Sequence, residues 1–247
     1  MHDSKIIQGF WLGKELSLME KLSISSFINH GHEYHLYVYD EITDVPVGTV
    51  LKDAIKIIPR QFAFEDNELK NSYANFSDIF RYKLLFEKGG YWVDTDLICL
   101  RRFDYQSDYV FAQQRDYDGS TSVNGCVTKA PRCSEIMQHC YTAAGLKARG
   151  KYEWWELGPP LLNEAVNKFG LAQFVLSYKT FIPIDWMDWK DIINHNLFSR
   201  LKLKLKLTNK EVYAIHLWSS MWKRENADKN GSYHPKCLYE RLKAKYL

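Results

Sequence analysis

The sequence has no C-x-x-C pair, and its five cysteines, Cys99, Cys126, Cys133, Cys140 and Cys237, are odd in number. That pattern points away from a structural zinc site and from a disulfide framework, so a reducing compartment is expected. Long apolar runs are also missing. The opening MHDSKIIQGFWLGK lacks the apolar stretch of a signal peptide, and no segment offers the roughly 20 apolar residues of a membrane span. The expectation is a cytoplasmic chain. Charge of one sign is scarce as well: a net charge of +3 is too small to make nucleic acid the main partner. Neither an internal repeat nor a low-complexity linker interrupts the 247 residues, which suffice for one large α/β domain.

Aromatic residues are abundant, at 15% with 8 Trp and 16 Tyr. A well-filled core uses them, and Trp and Tyr also stack on sugar rings and bases. KIIQGFWLG (residues 5–13) reads as a buried first strand running into a loop. A helical pattern follows, with Leu18, Leu22 and Ile28 in step and Gly31 as its stop, and then a strand over EYHLYVYD (residues 33–40). Strand, helix and strand in that order predict a βαβ unit and a parallel sheet. DIFRYKLLFEKGG carries Ile79, Tyr82, Leu85 and Phe86 at helical period, with Ser77 as N-cap and the glycine pair as terminator. Later segments read as strands over YVFAQQRDYD and SVNGCVTKAP, then as helices after PRCSE and after the Gly-Pro-Pro of WWELGPP. RLKLKLKLTNK alternates leucine and lysine, which predicts a one-sided strand whose basic face, residues 200–206, could meet anionic headgroups.

The stretch YWVDTDL sets Asp94 and Asp96 two positions apart between apolar flanks. On a strand both would point the same way, with Thr95 opposite. A solvated turn is the plain alternative. Carboxylates among apolar neighbours need a counter-charge, and a hard divalent cation such as Mg²⁺ or Mn²⁺ supplies one through oxygen ligands. Asp78 and Arg81, three apart on the preceding helix, share a face as a surface ion pair or as polar contacts to a ligand. Together with Trp11 at the end of the first strand and His216 beside tryptophans, these residues outline one site.

SDIFRYKLLFEKGGYWVDTD (residues 77–96) closely resembles the S-D-x-x-R-x-x-x-L-x-x-x-G-G-x-Y-x-D-x-D core of the D-x-D sugar-binding glycosyltransferases. That group includes the initiating mannosyltransferases of yeast, the clostridial glucosylating toxins and compact bacterial polysaccharide transferases. The first βα unit and the HLWSSMW tail resemble the family too. The resemblance implies a single GT-A domain over 1–247, with a Rossmann-like, mostly parallel sheet flanked by helices. Residues 1–110 would bind the nucleotide-sugar, and 111–247 would carry the acceptor side and a C-terminal closing segment.

It further implies a nucleotide-sugar donor, UDP by default, a divalent metal, usually Mn²⁺, and retention of anomeric configuration. Asp96 would coordinate the metal, Asp94 would reach ribose and metal, and His216 would be a third ligand. Asp78 and Arg81 would hold the donor sugar, Trp11 the base, and Trp218, Ser219, Ser220 and Trp222 would close over the diphosphate, with Trp218 to Ser232 mobile until donor binds. The family's Tyr is Trp92 here, with Tyr91 one position earlier, so either ring is a candidate to face the donor. Asn124 and Glu156 are candidates near the sugar or acceptor, a glycan or glycolipid of bacterial surface polysaccharide type. Two other readings stay open. A nucleotidyltransferase would also pair Asp with a metal, but would show a second carboxylate cluster and a phosphate-cradling glycine loop. A lectin-like module would use the aromatics with Ca²⁺, which asks for more oxygen ligands than Asp94 and Asp96 offer.

Overall fold

The computed structural model describes residues 5–65, 72–150, 152–153 and 156–247. Its centre is a six-stranded sheet in the order β3-β2-β1-β4-β7-β6. The strands are β1 (Ile6–Trp11), β2 (Glu33–Val38), β3 (Thr49–Asp53), β4 (Gly90–Val93), β6 (Val110–Arg115) and β7 (Thr121–Ala130). β3, β2, β1 and β4 run parallel, and β7 pairs antiparallel with both β4 and β6. A second, two-stranded antiparallel sheet joins β5 (Leu97–Cys99) to β8 (Ala214–His216). The expected βαβ opening is present, with α1 (Leu18–Asn29) between β1 and β2, and Ser17 with Glu20 closing a capping box at its start.

Both faces of the sheet are buried, as a parallel sheet requires. One face packs with α1, β5, β8 and α8 (Leu238–Tyr246), around Ile7, Tyr34, Tyr91, Val93 and Trp222. The other packs with α2 (Ala74–Lys88), α3 (Glu135–Lys147) and α4 (Pro159–Lys168), around Phe10, Phe80, Trp92 and Leu162. Strand alternation therefore sends Tyr91 and Trp92 into different cores. The free edge of β5 is covered by serines of α1: Ser23 Oγ donates to Leu97 O at 2.7 Å, and Ser26 Oγ accepts from the Cys99 N–H at 2.8 Å.

Three local expectations change. α2 starts a turn earlier than predicted, with Tyr73 at the N-cap and Ser77 inside the first turn. The D-x-D segment is not one through-running strand: the chain leaves the main sheet at Val93, turns with the Leu97 N–H on Asp94 O at 3.1 Å, and enters the second sheet. The KLKLKL segment is a helix. After α5 (Tyr178–Phe181) comes a 3-10 helix, Trp186–Ile192, then α6 (Leu197–Leu207) and finally α7 (Ser219–Arg224) between β8 and α8. Leu and Lys are good helix formers, and the run has no β-branched residue to favour a strand. Helical spacing also lets Lys202 and Lys206, four apart, pair with Asp188, while Leu203 between them is buried.

Candidate active site

In the order β2-β1-β4, β1 is the strand from which the chain goes both ways, and the carboxyl ends of β1 and β4 are where sheets of this kind place ligands. Trp11 ends β1, and Asp94 follows β4 directly. Pairing of β5 with β8 sets Leu97 opposite His216, which brings the imidazole to Asp96. His216 Nε2 lies 3.2 Å from Asp96 Oδ1, and Asp96 Oδ2 accepts from the Ser219 N–H at 2.7 Å. Asp94, Asp96 and His216 each offer a ligand atom within 4.8 Å of the others. Two carboxylates and an imidazole suit a divalent metal, and the buried His216 Nδ1 has no hydrogen-bond partner among the described residues. The donor set fits the group that the sequence implied.

Asp78 and Arg81 are not a surface pair. Arg81 is buried, with Nη1 2.9 Å from Asp78 Oδ1 and Nη2 2.9 Å from Asp94 Oδ1. Its guanidinium lies over the Trp92 ring, 5.1 Å from the centroid, and the Trp92 indole donates to Asp94 Oδ1 at 2.7 Å. Arg81 and Trp92 thus both bind Oδ1, which leaves Oδ2 of Asp94 without a hydrogen bond from a described residue. Burial alone would lower the Arg81 pKa, but the charges of Asp94 and Asp78 outweigh it and raise it.

Asp96 and His216 shift each other. Burial pushes the Asp96 carboxyl up, yet the His216 charge and hydrogen bond, with the Ser219 N–H, bring it down to about 2. Burial pulls His216 down, and Asp96 reverses this, so the imidazole stays above its usual value. The Cys126 thiol beside them is pushed far up by burial and by the two aspartates, which keeps it a neutral thiol.

Two glycines make room for the buried charges. A Cβ on Gly125 would fall 1.6 Å from Arg81 Nη1, and one on Gly158 2.5 Å from Asp78 Oδ2. Gly125 sits where the β6–β7 register slips, with Phe111 facing Thr128 but Ala112 facing Asn124. Gly125 was overlooked in the sequence, where its signal was an isolated glycine inside a strand pattern, which marks a bulge or a close backbone approach; Gly158 was read only as part of the Gly-Pro-Pro turn.

Several expected contacts fall elsewhere. Tyr91 is buried on the α1 side against Phe103, and Trp92 is buried under α2, so neither ring faces a donor; Trp92 positions Asp94 instead. Trp222 is a core residue between Trp189 and Tyr239. Trp218 is buried, donates to Ile184 O at 2.8 Å and packs its ring, tilted, 4.1 Å from that of His216. The segment expected to close over donor is anchored: Lys229 pairs with Glu20, Asn230 accepts from the Leu18 N–H, and Gly231 O accepts from Lys243. Its aromatics sit at core positions, which a flap could not keep. Asn124 spends its amide on Gln114 and the Cys126 N–H, and the Glu156 carboxylate accepts from the Glu153 N–H in its own turn. Trp11, half-buried at the strand end, donates to Glu15 O. Ser220 is half-buried beside Ser219. Trp154 and Trp155 of the WWELGPP stretch lie outside the described residues.

Residues 19–115 match the glycosyltransferase sugar-binding region containing the DXD motif, and residues 149–246 match the alpha 1,4-glycosyltransferase conserved region. The first half of the chain is thus similar to DXD glycosyltransferases and the second half to alpha 1,4-glycosyltransferases. Its relatives include the lactosylceramide 4-alpha-galactosyltransferases of Pongo pygmaeus, 28% identical over 58% of this chain and 66% of that protein, and of Homo sapiens, 28% over 58% and 41%. That of Mus musculus is 26% identical over 67% of this chain and 50% of its own. The chain therefore spans only part of the length of these curated relatives. Among solved structures, PaToxG glycosyltransferase superposes with a TM-score of 0.52 over 98% of this chain and 87% of that one, at 18% identity, which supports a GT-A-like fold.

Proposed function

We propose that this chain is a metal-dependent, retaining glycosyltransferase, and that it moves a hexose, galactose first, from a UDP-sugar to a glycan or glycolipid acceptor. The observation that carries the reading is the meeting of Asp94, Asp96 and His216 past the carboxyl end of β4, next to the buried Asp78–Arg81 pair. Those three residues would hold the ion, and an imidazole in the set favours Mn²⁺ over Mg²⁺, which prefers oxygen alone. When bound, such an ion stabilises the negative charge that gathers on the departing diphosphate.

The chain's own residues do the rest. Arg81 and Trp92 fix Asp94 with one oxygen free, and Asp78 and Arg81 offer polar atoms to the donor sugar. Trp11 stands by the base, and Ser219 and Ser220 open α7 on the diphosphate side. Galactose as donor sugar and a glycolipid as acceptor follow the names of the relatives. An α-linked product from an α-linked UDP-sugar is retention, and the leaving phosphate takes the acceptor's proton on the same face. The bacterial surface-polysaccharide setting, and the division into a donor half (1–110) and an acceptor half (111–247) of one domain, belong to this reading too.

A donor screen tests it. The chain is incubated with UDP- and GDP-sugars and Mn²⁺, and free nucleotide is measured by mass spectrometry. UDP release from UDP-galactose that needs metal is the expected result. Sugar binding that is indifferent to nucleotide, with no release from any donor, would overturn it.

A further inference from the structure

The leucine–lysine helix has a face that the fold does not cover. Leu197, Phe198, Leu201 and Leu205 are 67%, 75%, 51% and 77% exposed, and at 100° per residue they form one stripe along three turns of α6. The opposite face is closed. There Leu203 and Ser199 are buried, Lys202 pairs with Asp188 and Asp191 at 2.7 and 2.8 Å, and Lys206 reaches Asp185 and Asp188 at 3.3 and 3.2 Å. Asp185 also binds Arg115 of β6, so the helix is fastened to the main sheet rather than loosely appended.

What remains outside is basic. Arg200 and Lys204, four apart, flank the apolar stripe, and no described residue forms an ion pair with either. At the start of the helix, His195 stacks on His234 at 4.0 Å, and the charges of Lys236 and Arg200 both act on His234. The acidic groups packed beneath the helix are already paired. The exposed face therefore shows apolar side chains edged by unpaired cations.

We propose that this face of α6 docks the protein on an anionic lipid bilayer, with the stripe at the acyl boundary and Arg200 and Lys204 among the headgroups. A helix with apolar residues on one side and cations at its rim lies in that interface plane. An anionic headgroup layer over an acyl boundary complements both parts of this face at once, the cations and the apolar stripe. Docking is independent of the transfer reaction, so it stands or falls separately from the donor screen.

The test is sedimentation of the whole chain with vesicles of phosphatidylcholine containing phosphatidylglycerol, compared with phosphatidylcholine alone. Binding is expected to the anionic vesicles and to weaken with salt. Arg200→Glu with Lys204→Glu should reduce it at least about tenfold, from about fivefold for each cation lost. Phe198→Ser with Leu201→Ser should reduce it roughly tenfold or more. Because all four side chains are exposed, circular dichroism should show both variants folded. Wild-type protein that stays in the supernatant, or folded variants that sediment as well as wild type, would overturn the proposal. So would a concentration-dependent dimer that Phe198→Ser with Leu201→Ser dissolves in the absence of vesicle binding, which would assign the face to a second copy.

Discussion

Asp94 is held from the α2 side by Arg81 and the Trp92 indole, whereas Asp96, two residues on, is held from the C-terminal side by His216 and the Ser219 N–H. The first grip is permanent, since a buried guanidinium between two carboxylates does not titrate in water. The second depends on the His216 proton, which the ion proposed for this site would have to displace, because only neutral imidazole ligates. One aspartate is thus part of the scaffold and the other part of an exchangeable set. The D-x-D spacing joins the two across a turn that carries the chain from one sheet into the other.

The sharpest way to break the contrast is at the exchangeable end. Asp96→Asn keeps the shape but removes a ligand charge, and its Oδ2 position can still accept from Ser219. Turnover should fall by roughly 10²–10³-fold with the fold retained. Near-normal metal-dependent nucleotide release by that variant would show that Asp96 is not a ligand.

At the scaffold end the larger effect should be on stability. Arg81→Ala leaves Asp78 and Asp94 without their shared cation, which costs about 3–5 kcal/mol in urea unfolding. Gly125→Ala should act through the same side chain, since its Cβ meets Arg81 Nη1. If Gly125→Ala unfolds at the wild-type urea midpoint and keeps wild-type turnover, the guanidinium is not confined as described.

These two ends were not equally legible. The α2 period, the glycine pair and the Asp78–Arg81 spacing are local patterns, and the structure reproduces them with small boundary shifts. Asp94 and Asp96 were singled out on the ground of one strand face, whereas the structure brings them to His216 through a turn and through β8, which is more than a hundred residues away. Trp222 was expected at the diphosphate from the resemblance of the HLWSSMW tail, which does not say which way each ring points, and the structure buries it in the core. Leu–Lys alternation carried the period of a strand, while propensity and the acids of the neighbouring 3-10 helix made it α6. Gly125 and Gly158 matter through what lies across from them, and no single-sequence pattern states that.

His216→Gln tests the exchangeable set more gently. The half-saturating Mn²⁺ concentration should rise roughly 10–100-fold, with turnover at saturating metal less affected. An unchanged metal requirement would remove His216 from the ligands.

The pH dependence follows from the same pair. With its folded pKa raised above 6.5, His216 adds stability that is complete below that value and is lost as the pH climbs through the raised one. Asp96 is lowered from 3.8 to about 2, so its contribution is present above 3.8 and is lost as the pH falls toward 2. Metal-free protein should therefore lose stability relative to His216→Gln on the alkaline side, in the window where Mn²⁺ affinity improves. Thermal unfolding with and without Mn²⁺, from about pH 6 to about pH 9, reads both trends. Parallel slopes for the two proteins would mean that the imidazole does not exchange its proton for the ion.

The smallest effect belongs to Trp92, and it bears on the difference between holding Asp94 and binding donor. Its indole N–H and Arg81 share Asp94 Oδ1, and its ring lies buried under the guanidinium, out of reach of a ligand. Trp92→Phe keeps most of the packing and removes one hydrogen bond to a charged acceptor, which costs about 1.5–3 kcal/mol of stability at most. Because Arg81 still grips the same oxygen, the carboxylate should loosen rather than leave. Turnover should drop by a few-fold, about the effect of a partly misplaced ligand, with the Mn²⁺ requirement rising modestly and the Michaelis constant for nucleotide-sugar unchanged. If instead the Michaelis constant rises while the metal requirement stays the same, the aromatic touches the donor directly, and Asp94 owes its position to Arg81 alone.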